Sequence, residues 1–159
     1  MESENLTRMI ELADEFFDAK SDPMQISVNA ETMVQLKKIH PGTMTEKRNK
    51  KGPIAWAMVI PTTVGVMRQF TSKQINEKDL LSITPLKIKY EALYLCSALV
   101  LPEYRGRGVA TSLVVKAVKG IQRKHPIKYL FYWEFSVEGK KLARAIAKEF
   151  SLPLYKRKS

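Results

Sequence analysis

One cysteine and two histidines leave this chain few soft metal ligands. The lone Cys96, inside an apolar run, excludes an internal disulfide and any multi-cysteine zinc site and reads as a small buried hydrophobe. His40 precedes Pro41-Gly42 and His125 precedes Pro126, so both read as exposed turn residues, and no metal is implied. No apolar run approaches the ~20 residues of a membrane span; the longest, 55–60 and 92–101, stop far short. The first residues, MESENLTRM, lack a basic segment followed by an apolar one, so no secretory signal is read. These absences favour a cytoplasmic protein with no membrane role. Fixed-period repeats and low-complexity tracts are also missing, which excludes a solenoid.

Negative charge is the scarcer sign: 16 acidic residues stand against 27 basic ones, a formal net charge of +11. Such an excess suits a polyanionic partner, whether nucleic acid, an anionic surface or a phosphate-bearing cofactor. The cations are scattered apart from clusters at 47–51 and 156–158, which favours a solvated surface. No basic-aromatic alternation and no recognition-helix signature is present, which argues against nucleic acid.

What is present is a globular balance, 45% hydrophobic and 27% charged, in 159 residues, the size of a single domain spanning 1–159. Residues 6–20 carry apolar positions at three-and-four spacing (Leu6, Met9, Ile10, Ala13, Phe16, Phe17), predicting a helix capped by Asn5. A short strand at 24–28 and a helix at 30–39, capped by Asn29, follow. Residues 43–53 read as a mobile polar loop. A buried strand is expected at 54–60, broken by Pro61. Helices are expected at 62–70 and 75–81. A strand apolar on both faces spans 91–101 and should be central. A helix at 108–122, a strand at 127–133, a helix at 137–150 and a short strand near 153–155 complete the pattern. Strand and helix alternate through the C-terminal half, which argues for parallel strands with helices on their faces.

The informative stretch is Val100-Leu-Pro-Glu-Tyr-Arg-Gly-Arg-Gly-Val-Ala110, followed by Thr111-Ser112-Leu113. A strand ends at Pro102, the chain turns through Arg105–Gly108, and a helix begins. Gly106 and Gly108 admit backbone shapes and close approaches that a side chain blocks. The first amides of the helix have no carbonyl partner within it, and with the helix dipole they form a site for phosphate. Arg105 and Arg107 add two permanent charges at its rim. The P-loop pattern GxxxxGK[ST] is absent, and the spacing is not the GxGxxG of dinucleotide folds.

This stretch resembles the GNAT superfamily of acyl-CoA-dependent N-acyltransferases, whose Arg/Gln-x-x-Gly-x-Gly/Ala motif Arg105–Ala110 matches at every specified position. Val100-x-Pro102-x-Tyr104 matches the common strand exit as well. The resemblance covers about 91–152. It implies an α/β (α+β) fold, a three-layer αβα sandwich with a mixed central sheet, shortened at the C-terminus. It implies acetyl-CoA or another short acyl-CoA as co-substrate and a primary amine, small molecule or peptide, as acceptor, in a monomer or homodimer. Arg105, Gly106, Arg107, Gly108, Val109 and Ala110 would cradle the pyrophosphate through their amides. Leu99, Val100 and Leu101 would offer strand-edge groups to the pantetheine arm. Thr111, Ser112 and Ser136 would add side-chain contacts.

The chain also departs from that family. In the last helix the usual proton-donating tyrosine is replaced by Ala147, and Ser151-Leu152 stand for Gly-Phe; Tyr155 is a distant substitute or a packing residue. The family's usual third strand is not evident, since 62–81 reads as helical. No Ser-His-Asp or Cys-His set is legible, so direct amine attack is expected, with Glu91, Tyr94 (through water) or Glu134 as candidate base. Trp56 and Trp133 read as core. Tyr129, Phe131 and Tyr132 fit either a channel lining or simple strand alternation. The alternative reading is a CoA-binding sensor or interaction module without catalysis, motivated by Ala147.

Overall fold

The structure, a computed structural model, describes residues 4–17, 30–134 and 136–158. Its elements run α1 (Glu4–Phe17), α2 (Ala30–Ile39), β1 (Met44–Asn49), β2 (Gly52–Thr62), α3 (Val64–Thr71), α4 (Glu77–Ile83), β3 (Ala92–Val100), α5 (Val109–Gln122), β4 (Tyr129–Tyr132), α6 (Val137–Phe150) and β5 (Leu154–Lys156). The sheet order is β1-β2-β3-β4-β5. β1, β2 and β3 are antiparallel, whereas β3, β4 and β5 are parallel, so the sheet is mixed and β3 lies at its centre. The parallel half needs crossovers, and α5 and α6 supply them.

Apolar residues on both faces of β2 and β3 build the core, with Ala55, Ile60, Leu93 and Tyr94 fully buried. Tyr94 and Phe131 are register partners, hence on one face, and α3 brings Phe70 onto both at ring distances of 4.9 and 5.8 Å. Each such aromatic pair adds about 0.5–1.5 kcal/mol beyond its burial. Helices α5 and α6, in contact with each other, cover the other face.

Several expectations need correction. The stretch 43–53 is not a mobile loop but strand β1 and the turn into β2, with Asn49 opposite Gly52. β1 was hard to see because it is an edge strand with polar side chains, Glu46–Asn49 all exposed; charged edges deter pairing with other sheets. β2 runs through Pro61, which pairs with Leu93. Proline is tolerated there because β1 covers β2 only as far as Met58, leaving the Pro61 nitrogen no ladder to serve. Asn5 lies inside α1 rather than capping it. Its buried side chain donates to Asn49 Oδ1 at 3.1 Å and ties the helix to the β1–β2 turn. The strand expected at 24–28 and the Asn29 cap fall outside the described residues.

Neither histidine is an exposed turn residue. His40 is buried and its Nδ1 accepts from the Gly42 amide at 2.8 Å. His125 is half-buried and its Nδ1 accepts from the Tyr90 amide at 3.2 Å. The basic tail is also not wholly solvated: Arg157 is 3% exposed, donates to the carbonyls of Phe70 and Ile75 at 2.7 and 2.8 Å, and lies over the Phe70 ring. It thereby clasps the α3–α4 segment to the sheet.

Candidate functional site

The site grows from a defect in the β2–β3 ladder. Met58 pairs with Ser97 and Val59 with Leu95, so Cys96 is an extra residue on β3. A bulge of this kind bends its strand and sharpens its twist. β3 pairs with β4 only over Ala92–Tyr94, and among the described residues Leu95–Val100 then run on with no strand beside them on that edge. The two parallel strands splay, and a cleft of about 730 Å³ opens between them. Its walls are the free edge of β3, the loop before α5, the first turns of α5, and Tyr132, Trp133 and α6.

At the outer end of the cleft the loop turns through two left-handed residues, Gly106 at φ 77° and Gly108 at φ 74°. Any L-residue is strained there, and a Cβ on either glycine would project into open space. The first amide to find a carbonyl inside the protein is that of Ser112, which donates to Gly108 O at 3.0 Å. Among the described residues, the six amides from Gly106 to Thr111 donate to nothing. A row of unpaid main-chain donors at the head of a 14-residue helix is a ready anion site. The loop is itself pinned: Tyr104 accepts from Asn49 Nδ2 at 2.7 Å, and Glu103 receives both ends of the Arg8 guanidinium at 2.6 and 2.7 Å. The Arg8 hydrogen bonds hold the Glu103 carboxyl down at about 2.

Leu99, Val100, Arg105, Gly106, Gly108, Val109, Ala110, Thr111 and Ser136 all border this cleft. Leu101, Arg107 and Ser112 do not. Leu101 is buried and its amide donates to Ile54 O at 2.9 Å, extending the β2–β3 ladder. Arg107 lies 5.8 Å from the Tyr104 ring centre, and Ser112 is exposed on α5. Two bordering groups carry structural duties. Arg105 Nε donates to Val100 O at 2.9 Å, and Ser136 Oγ caps α6 by accepting from Gly139 N at 3.0 Å.

The base candidates fare differently: none of Glu91, Tyr94 and Glu134 borders the cleft. Glu91 precedes β3 at its far end and pairs with Lys128 at 2.9 Å. Glu134 is exposed between Lys140 and Lys156. Tyr94 is fully buried, and its hydroxyl donates to Glu77 Oε2 at 2.5 Å. Burial, then the neighbouring Glu77 charge, pushes that phenol well above its ordinary range. Glu77 is the residue that sequence reasoning missed. It opens α4 behind the capping box of Asn76 and Asp79, is 2% exposed, and also receives the Cys96 thiol at 3.7 Å. Asn76-x-x-Asp79 announces a helix start, but nothing in the sequence says that this helix turns its first residue inward. Cys96 borders the cleft, and burial, then the Glu77 charge, raises its thiol, which disfavours the reactive thiolate.

No protein-family model matches the chain, and no curated protein matches it. Solved structures do. An aminoglycoside acetyltransferase from an uncultured soil metagenomic sample, in complex with trehalose, superposes with a TM-score of 0.51 at 12% identity, covering 91% of this chain and 79% of that one. A ribosomal-protein-alanine N-acetyltransferase from Brucella melitensis biovar Abortus 2308 gives 0.47 at 15% identity, over 88% and 82%. The chain has the GNAT fold.

Residues 64–71 and 77–83 are helical as expected, and the α3–α4 pair lies between the adjacent antiparallel strands β2 and β3. Ala147 is half-buried against the core and does not border the cleft. Tyr155 is exposed, packed on Tyr129 at 6.1 Å, and also lies outside it. Among the described residues no cluster of His, Cys, Asp or Glu has the makings of a metal site, and no helix is long and apolar enough to cross a membrane.

Proposed function

We propose that this protein is an N-acyltransferase that holds acetyl-CoA, or another short acyl-CoA, in the cleft between β3 and β4 and passes the acyl group to a primary amine. The observation that carries the reading is the set of six unpartnered amides, Gly106–Thr111, of which all but that of Arg107 belong to residues bordering that cleft. They fit a pyrophosphate: the donors are main-chain, the helix dipole points at them, and no Cβ fills the hollow at Gly106 or Gly108. Arg105, anchored through Nε, keeps its terminal nitrogens for the same charge. From Val100 back to Leu95 the free edge extends about 17 Å, taking roughly 3.3 Å per residue, which an extended pantetheine arm covers.

The co-substrate supplies an acyl group activated as a thioester. The chain's part is to bind, orient and shield it. Leu99 and Val100 line the arm's path, and Leu142, Ala143 and Ile146 of α6 wall it with apolar surface. Main-chain donors at the bulge around Cys96 polarise the carbonyl that the amine attacks. We place the protein in the cytoplasm, where its single cysteine stays reduced.

Thermal stabilisation by CoA and acetyl-CoA tests the binding, because a ligand of the native state raises stability by mass action. Thiol release across a panel of amines tests the transfer. A second reading has its own observation: all three base candidates lie away from the cleft. CoA binding with no thiol release for any amine would favour a sensor or interaction module.

A further inference from the structure

Among the described residues seven large hydrophobics are exposed, and three of them fall within six residues: Ile83 at 45%, Leu86 at 45% and Ile88 at 41%. They lie at the end of α4 and in its connection to β3. Single exposed apolar residues are ordinary, whereas a cluster marks a surface that something covers. Slack in the chain does not account for this one. Thr84 is buried, and its hydroxyl is bonded to Thr62 Oγ1 at 2.8 Å and to Leu80 O at 2.6 Å. Tyr90 is buried too; its hydroxyl donates to Pro85 O at 2.5 Å and its amide to His125 Nδ1 at 3.2 Å. The segment between these anchors is held at both ends, yet Leu86 and Ile88 stay in solvent.

The charges around this cluster have one sign. Lys87 and Lys89 alternate with Leu86 and Ile88 along the chain. Lys89 Nζ donates to Lys124 O at 2.8 Å, which brings the loop after α5 alongside, with Arg123 and Lys124. All four cations are exposed, and among the described residues none is in an ion pair. The only acid in 83–91 and 123–128 is Glu91, and Lys128 pairs with it at 2.9 Å. A second copy of the chain would bring the same four charges against these, which disfavours self-association through this face. An acidic polypeptide would match the cations and leave three aliphatic side chains in water. An anionic bilayer answers both features: its headgroups meet the cations and its acyl chains the aliphatics.

We propose that Ile83, Leu86 and Ile88, with Lys87, Lys89, Arg123 and Lys124, dock the protein on a membrane surface rich in anionic lipid. The aliphatic tips enter the boundary between headgroups and acyl chains, and the cations stay at the phosphates. The contact is peripheral and reversible, held by two weak signals acting together. This face adjoins the start of β3, while the amides of Gly106–Thr111 follow its end, roughly 26 Å along the strand at about 3.3 Å per residue. The cleft therefore stays open to solution while the protein is docked, and the assignment stands whether or not the cleft holds an acyl-CoA.

The test is flotation of the full chain with vesicles of phosphatidylcholine, alone or with about 30% phosphatidylglycerol. Wild type should float with the anionic vesicles and bind the neutral ones at least about 10-fold more weakly. Leu86→Ser with Ile88→Ser changes two exposed positions, so this variant should melt within about 2 °C of wild type. It should lose about 10-fold or more in affinity for the anionic vesicles. Lys87→Gln with Lys124→Gln should lose about 20-fold. Lys47→Gln with Lys50→Gln removes the same charge from the β1–β2 hairpin, at the opposite end of the sheet, and should weaken binding by less than about threefold. Equal losses from the two lysine pairs would give the binding to net charge and overturn the assignment, as would wild type that stays in solution with anionic vesicles. Without vesicle binding, a dimer that Leu86→Ser with Ile88→Ser dissociates would make the face a contact between copies. Capture of polyglutamate in place of vesicles would give it to an acidic protein segment. Either result overturns the assignment.

Discussion

Ser151 ends α6 in the left-handed region, at φ 53°, where its amide closes the helix on the carbonyls of Ala147 and Lys148. Glycine takes that shape without penalty, whereas an L-residue gives up roughly 1–2 kcal/mol. Ser151→Gly should therefore raise stability by about 1 kcal/mol, a gain of about 2–4 °C in melting temperature. An unchanged or lower melting temperature would mean that the cap is not strained. The loop before α5 shows the opposite choice: Gly106 and Gly108 meet the same backbone demand with the residue that suits it, and they also leave their Cβ space open. That difference could be read in the sequence, because RGRG after a strand and before a helix has few other uses. The burial of Glu77 could not, since a carboxylate becomes buried through what packs on it.

Among the elements, α5 and α6 were legible because their apolar residues recur at helical spacing and one face is buried. β3 was legible because both of its faces are. β1 was not, since a polar edge strand has no buried face to pattern it. The bulge at Cys96, which creates the cleft, leaves no mark on a run of apolar residues and appears only in the register with β2. The two histidines were misplaced because turn sequences suggest exposure, whereas here their rings, 5.7 Å apart, hold the end of α2 and the loop after α5. Burial lowers the pKa of both. Lys124 adds to the effect on His40, and His40, Lys89 and Lys124 add to it on His125. The folded rings thus take up protons less readily than unfolded ones. Their contribution to stability is complete above about pH 6.5 and is lost as pH falls through the lowered folded values. His40→Asn retains an acceptor for the Gly42 amide but cannot titrate. Between about pH 7.5 and about pH 5.5 its melting temperature should fall less than that of wild type. Parallel curves would show that His40 carries no proton linkage.

For the whole molecule, the charge of +11 acts on any anionic ligand before contact. CoA carries several negative charges, so its affinity should weaken at least about threefold as salt rises from about 0.05 M to about 0.5 M, since screening shortens with ionic strength. A flat response would assign the excess cations to solubility alone. The layered architecture was legible from alternating strands and helices, and the motif marked the loop of unpartnered amides at the outer end of the cleft. The site's inner end, where a base must act, was not legible, because residues close in sequence to the motif need not line the space it opens. The central claim is that the amides of Gly106–Thr111 hold a pyrophosphate, and calorimetric titration of CoA into wild type and Gly108→Leu tests it most directly. Wild type should bind with a Kd of about 1–100 µM, and the variant, still folded, should lose about 100-fold or more in affinity. A variant that binds CoA as tightly as wild type would contradict the account.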